Sequence, residues 1–89
     1  MNMVFHLPIS DELDLHYFHP SEIKDLLNEY IKECRKERIT HLRIIHGKGK
    51  GILRDRVKSI LKKNPYVTEF YPASPGAGFW GATIAVIAI

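Results

Sequence analysis

Residues 39–51 have the sequence ITHLRIIHGKGKG, and this stretch decides the fold. The apolar run from Ile39 to Ile45 predicts a strand. Glycines then alternate with lysines from Gly47 to Gly51. This lets the backbone curl into a loop and turn its N–H groups toward a bound anion. A helical apolar pattern begins at Leu53, so we predict a strand that passes through a glycine loop into a helix.

Upstream of this unit, Leu13–His16 alternates apolar and polar residues and predicts a short strand. The segment His19–Glu22 then opens a helix, with proline in its first turn and an acidic residue near its positive end. Apolar residues then recur three and four positions apart, which predicts one buried stripe along this helix. The stripe consists of Ile23, Leu26, Leu27, Tyr30, Ile31 and Cys34.

Downstream, the second helix carries Leu53, Val57, Ile60 and Leu61 on one face and stops at Asn64-Pro65. Residues 66–71 predict a third strand, and residues 72–81 a loop rich in proline and glycine. Residues 82–89 predict a fourth strand, apolar enough to be central in a sheet. The order β-α-β-α-β-β predicts a two-layer α/β sandwich with two helices on a mixed four-stranded sheet.

This order brings distant segments together. Right-handed β-α-β crossovers make successive strands parallel, so the ends of the first and second strands share one sheet edge. If the last two strands are antiparallel, the loop 72–81 joins them at that edge. We therefore expect Asp14, His16, His46 and the glycine loop to converge on one site.

Composition bounds the class of protein. Eighty-nine residues, 45% of them hydrophobic, make one small globular domain, which we place at residues 13–89 after a lead-in segment at residues 1–12. The lone Cys34 permits no internal disulfide and fits a reduced compartment. The chain shows no secretory signal, and its apolar tail is too short to span a bilayer, so we expect a cytoplasmic protein without a membrane partner.

Charge is divided unevenly along the chain. Residues 1–37 carry four Lys or Arg and eight Asp or Glu, whereas residues 38–89 carry nine and two. Seven of the basic residues fall between Lys48 and Lys63, with Asp55 the only acid among them. This pattern is typical of a polyanion-binding face, for which Arg54 and Lys58 are candidates, or of a solvated helix face.

Several side chains are of the types used in general acid–base catalysis at a phosphate group. Asp14 and His16 are two residues apart, the spacing of an aspartate that orients a histidine base. His46 is the candidate second acid or a phosphate ligand. The Gly47, Gly49 and Gly51 backbone would hold phosphate oxygens, and Lys48 and Lys50 would neutralise developing charge. Such a set suits cleavage of a phosphodiester without a metal, most readily in RNA, where the neighbouring 2′-hydroxyl is a nucleophile.

Other motifs fit less well. Neither a closed Cys/His spacing nor H-E-x-x-H is present, so we predict no metal, and the loop lacks the order of a nucleotide P-loop, so we predict no cofactor. Trp80 and Phe79 would stack on an unpaired base or cap the core.

Three motifs, in this order, resemble the small MutS-related (Smr) domain family: LDLH at residues 13–16, HGKGKG at residues 46–51 and GATI at residues 81–84. The resemblance covers residues 13–89 and implies a fold like the C-terminal domain of translation initiation factor three. It also implies nicking or cleavage of DNA or RNA, in DNA repair or on ribosome-bound RNA. By motif, Asp14 and His16 match the pair linked to cleavage, and His46 belongs to the loop linked to binding and catalysis. Thr83 would offer a hydroxyl beside the site.

The chain departs from the family at Tyr17, where the first motif usually has glycine. Three functions stay open: a metal-independent endonuclease, a catalytically silent nucleic-acid-binding module, and a protein-interaction domain with exposed aromatic surface. Association with a ribosome or a repair protein is a further expectation, and the oligomeric state is open.

Overall fold

A computed structural model describes residues 8–49, 51–77 and 81–89. Its strands are β1 (Glu12–Asp14), β2 (His41–Ile45), β3 (Val67–Pro72) and β4 (Ala82–Ile87), and its helices are α1 (Ile23–Lys36) and α2 (Ile52–Lys63). Short 3-10 turns at Pro20–Glu22 and Pro75–Ala77 precede α1 and β4. The predicted element order and α/β class are confirmed.

The sheet has the strand order β1-β2-β4-β3. β1 runs parallel to β2, and β4 lies between β2 and β3, antiparallel to both. The predicted parallel crossovers, the central position of β4 and the antiparallel last pair are all confirmed. The sequence by itself does not show that β4 inserts between β2 and β3.

Both helices pack on one face of the sheet. The core cluster joins alternate strand residues such as Leu13, Leu42 and Ile44 to the buried stripes of α1 and α2. All six residues of the predicted α1 stripe are buried. The other sheet face carries the alternate positions, so the molecule has two layers.

Local hydrogen bonds stabilise the 3-10 turn that leads into α1 and the C-terminal end of α1. The backbone N–H of His19 donates to the Glu22 carboxylate at 2.9 Å, and the His19 ring accepts from the Ser21 N–H at 3.1 Å. At the other end Arg38 adopts a left-handed φ of 58°, and the Ile39 N–H donates to the Cys34 carbonyl at 2.9 Å. This is a Schellman ending, made here without the usual glycine.

Strand ends differ from the sequence prediction by one or two residues. Leu13–His16 is predicted as a strand, but β1 ends at Asp14 because the Asp14 carboxylate accepts the His16 N–H and turns the chain. The fourth strand ends at Ile87 rather than Ile89. The chain before β1 is also anchored, since the Tyr30 hydroxyl accepts from the Ser10 N–H at 2.9 Å.

The lone thiol is a core group. Cys34 is fully buried, and burial raises its pKa from 9.0 to about 11, with the negative charges of Asp11 and Glu33 acting in the same direction. A thiol of this kind stays protonated and unreactive at neutral pH. Neither helix in the described part of the chain is long and apolar enough to cross a membrane.

Candidate functional site

The three predicted segments meet at one edge of the sheet. Asp14 is in register with Ile45 of β2, and Ile45 is in register with Ala82 of β4. The backbone N–H groups of His46 and Gly47 both donate to the Gly81 carbonyl at 2.9 Å. The end of β1, the glycine loop and the start of β4 are therefore neighbours, as the topology predicts.

Asp14 holds the His16 ring in one orientation. Asp14 Oδ1 accepts the His16 backbone N–H at 3.0 Å and contacts His16 Nδ1 at 3.1 Å. Because a carboxylate can only accept, the neutral ring carries its proton on Nδ1 and has its lone pair on Nε2. No residue in the described part of the chain hydrogen-bonds to Nε2, and about half of the His16 side chain is exposed, at 53%. His16 thus presents a basic nitrogen to solvent.

Tyr17 covers one face of this imidazole. The two ring centroids are 4.2 Å apart with an interplanar angle of 27°, and Tyr17 is 85% exposed. Nε2 lies in the plane of the imidazole ring, so stacking on its face leaves that nitrogen accessible at the ring edge. The neighbouring Phe18 packs against the core instead, so Tyr17 alone is the exposed aromatic ring of this pair.

His46 has a different environment. It is buried, and Nδ1 donates to the Gly47 carbonyl at 3.0 Å while Nε2 contacts Thr83 Oγ1 at 2.9 Å. Burial lowers the pKa of His46 below its usual 6.5; the Gly47 hydrogen bond acts against this change and the charge of Arg54 acts with it. The ring is therefore neutral at pH 7, and its Nε2 accepts from the Thr83 hydroxyl.

The two histidines belong to opposite faces of the sheet. Thr83 is in register with Ile44, a core residue, so the His46–Thr83 pair lies on the helix-covered face. Asp14 alternates with the buried Leu13 and lies on the open face. The edge thus combines an exposed Asp14–His16 pair with a buried His46–Thr83 tie that fixes the loop to β4.

The glycines of the loop are required by its backbone. Gly47, Gly49 and Gly51 have φ values of 84°, 27° and 83°, all in the region that disfavours side chains. The Gly47 N–H, predicted to bind phosphate, is already occupied by the Gly81 carbonyl. Gly49, Gly51 and the first turn of α2 remain as candidate donors.

The loop encloses a small cavity at the N-terminus of α2. It has a volume of about 220 Å³ and is lined by the loop and by the first helical residues through Arg54. Gly51 caps the helix without a side-chain hydrogen bond, so the first-turn N–H groups and the helix dipole give this cavity a positive potential. Exposed Lys48 adds a full charge. The cavity has the size and electrostatics to take a phosphate group.

Arg54 also borders a second depression, between α2 and the β3 edge. This cleft of about 370 Å³ is lined by Arg54, Lys58, Thr83 and the partly exposed Tyr71, among others. Tyr71 escapes the sequence reasoning, although an aromatic residue in an edge strand opposite a basic helix is a usable signal. Lys50 and Trp80, both predicted at the site, lie outside the described residues.

Comparison with known proteins places this geometry in a family. Residues 13–88 match the Smr domain. The chain belongs to the Smr domain family. The Smr domain of Thermus thermophilus MutS2 superposes with a TM-score of 0.83 at 30% identity, covering 90% of this chain and 100% of that one. YdaL, a stand-alone small MutS-related protein from Escherichia coli, shares the fold with a TM-score of 0.83 at 24% identity, covering 92% of this chain and 67% of that one.

The sequence relatives are longer proteins. The endonuclease MutS2 of Agathobacter rectalis is 34% identical over 79 residues, which are 89% of this chain and 10% of that protein. The endonuclease MutS2 of Gemmatimonas aurantiaca is 36% identical over 77 residues, 86% of this chain and 9% of that protein. This Smr chain thus spans about a tenth of the length of the curated relatives it matches. Within the described residues no three His, Cys, Asp or Glu side chains form a metal-binding cluster.

Proposed function

We propose that this Smr chain binds nucleic acid at the edge formed by β1, the glycine loop and β4, and that it cleaves phosphodiester bonds there. The observation that carries the proposal is the Asp14–His16 contact at 3.1 Å, which leaves Nε2 of an exposed imidazole as a base. The endonuclease name of the MutS2 relatives supports it.

In RNA, His16 Nε2 takes the proton of a 2′-hydroxyl, and the 2′-oxygen forms a bond to phosphorus. The bond between phosphorus and the 5′-oxygen breaks, and that oxygen receives a proton from the His16 imidazolium. The products are a 2′,3′-cyclic phosphate and a 5′-hydroxyl. In DNA, a water molecule attacks phosphorus in place of the 2′-hydroxyl and gives its proton to His16, the same bond to the 5′-oxygen breaks, and the products are a 3′-phosphate and a 5′-hydroxyl. Asp14 stabilises the imidazolium in both cases.

The loop holds the phosphate during this step. Lys48, Gly49, Gly51 and the α2 N-terminus stabilise the charge that develops on the phosphoryl oxygens. His46 serves as a positioning residue, because both of its ring nitrogens are hydrogen-bonded within the protein and its lowered pKa keeps the ring neutral.

The test is cleavage of end-labelled RNA and DNA, single-stranded, duplex and branched, with EDTA present. We compare the wild type with His16→Ala and with the control His41→Ala, whose exposed ring contacts the Thr40 hydroxyl at 3.0 Å, away from the site. Loss of at least about a hundredfold in rate for His16→Ala alone supports the proposal. Equal rates for all three proteins would refute the role of His16.

A binding module without cleavage is the second candidate, and the Tyr17 stack favours it. A ring exposed on its outer side is a platform for an unpaired base, and such stacking contributes about 1–3 kcal/mol per base. Tyr17→Ala then weakens single-strand binding about 5- to 150-fold, whereas Tyr17→Phe retains it. Binding by the wild type and by His16→Ala, with no cleavage by either, would establish this alternative over the first.

A further inference from the structure

Helix α2 carries basic side chains on both sides of its buried stripe. Arg54 and Lys58 flank the stripe toward the β3 edge and line the cleft beside Thr83. Arg56 and Lys63 lie roughly 180–200° around the helix from Arg54 and face α1. The basic run that appears as one segment in the sequence therefore forms two separate surfaces.

The surface toward α1 is a groove between the two helices. It has a volume of about 550 Å³, and its polar lining residues are Lys24, Asn28, Lys32, Arg56, Ser59 and Lys63, together with Asn64. Among the residues that the structure describes, no acidic side chain lines this groove. Four positive charges thus face one groove on the outer surface of the helical layer.

Most of these charges are uncompensated. Lys32 is paired with Glu29 at 3.2 Å. Lys24, Arg56 and Lys63 form no ion pair with any residue in the described ranges. Like charges held in one groove repel one another, and an anionic guest relieves that repulsion.

The neutral groups of the groove also present donors. Asn64 Nδ2 donates to Asn28 Oδ1 at 2.9 Å, and Asn64 Oδ1 accepts the Tyr66 N–H at 2.8 Å. Both amide oxygens are thereby satisfied, and within the described residues the Asn28 NH2 group has no acceptor. With the Ser59 hydroxyl, the groove offers hydrogen-bond donors and cations to a guest that supplies acceptors and negative charge.

We propose that this interhelical groove is a second binding surface for a phosphodiester backbone, separate from the glycine-loop site. The inference rests on the proposed nucleic-acid partner and adds a second contact to it. Lys24 and Lys32 are two helical turns apart, about 12 Å along α1, whereas the phosphates of one strand rise by about 3.4 Å each along the axis of a duplex. Because the strand also winds around the axis, its neighbouring phosphates lie farther apart than this rise, and the groove is long enough to contact at least two of them.

The test is the salt dependence of affinity for duplex DNA and duplex RNA. The groove variant combines Lys24→Gln, Arg56→Gln and Lys63→Gln. A control variant removes the same number of positive charges outside the groove, at Lys36, Arg38 and Lys62, each replaced by Gln. All six of these side chains are exposed, so both variants should fold. Circular dichroism and thermal melting check that they do.

The slope of log Kd against log salt should fall by about 2–3 in the groove variant and by less than about 1 in the control. Between about 50 and 200 mM salt, the wild type should then lose about 15- to 65-fold more affinity than the groove variant. Equal slopes for the groove and control variants, with a wild type that binds, would overturn this inference alone. A wild type that binds neither duplex nor single strands would overturn the proposed function together with it.

Discussion

Replacing Gly51 with alanine tests how the glycine loop and Arg54 work together. Gly51 is buried at the N-terminus of α2 with a φ of 83°. A Cβ built there would lie 2.7 Å from Arg54 Nη2 and 3.3 Å from Arg54 Cζ. The substitution therefore strains the backbone and also pushes the guanidinium away from its place beside the loop.

The two effects have different magnitudes and different readouts. A left-handed φ costs alanine about 1–2 kcal/mol, which lowers the melting temperature of a domain this size by roughly 4–15 °C. Arg54 is a flexible and partly exposed side chain, so relieving the clash adds little to that cost. Displacing its charge from a bound phosphate should weaken nucleic-acid affinity by about 1 kcal/mol, roughly fivefold.

A double-mutant cycle with Arg54→Ala separates these contributions. Thermal melts and fluorescence titrations are run on the wild type, both single variants and the double variant. Gly51→Ala should destabilise both backgrounds equally but weaken binding only when Arg54 is present. Equal weakening in both backgrounds would refute the displacement of Arg54, and unchanged stability would refute the left-handed conformation of Gly51.

Two further predictions concern the buried tie between the loop and β4. Thr83→Val leaves His46 Nε2 without its hydrogen-bond donor and should lower the free energy of unfolding, measured by urea titration, by about 1–3 kcal/mol. The control Thr68→Val removes an exposed hydroxyl that donates to a carbonyl at 3.3 Å, and it should lower the free energy of unfolding by less than about 0.5 kcal/mol. Comparable losses at the two threonines would contradict the buried hydrogen bond. Because the folded pKa of His46 lies below its unfolded value of 6.5, its contribution to stability is present above pH 6.5 and is lost as pH falls toward the folded pKa. The free energy of unfolding should therefore drop more between about pH 7.5 and pH 5.5 in the wild type than in His46→Gln, and parallel drops would show that the ring is not held neutral.

Much of the fold follows from local patterns. The α1 stripe is visible because its spacing matches the helical period, and all six of its members are buried. The alternating glycines predict a loop with a curled backbone, and in the structure Gly47, Gly49 and Gly51 all have positive φ. Asp14 and His16 can be paired from sequence because their contact spans two residues and depends on one local turn.

Other features depend on which strands become neighbours. The sequence analysis takes His46 as a candidate second acid or phosphate ligand, but β4 pairs with β2 and brings Thr83 and the Gly81 carbonyl against it. Burial then lowers its pKa and occupies both ring nitrogens. No local pattern predicts that contact, because residues 46 and 83 are 37 positions apart.

The sequence by itself determined the elements, their order, the glycine loop and the Asp14–His16 pair, because each depends on the conformational preferences of neighbouring residues. Only the tertiary structure decided that β4 inserts between β2 and β3 and that His46 and Asp14 belong to opposite sheet faces. The tertiary structure also decided that the basic residues of α2 lie on two separate surfaces. Arg54 and Lys58 line the cleft beside β3, whereas Arg56 and Lys63 line the groove between α1 and α2. These outcomes depend on which apolar faces bury one another, and that choice is made between segments far apart in the chain.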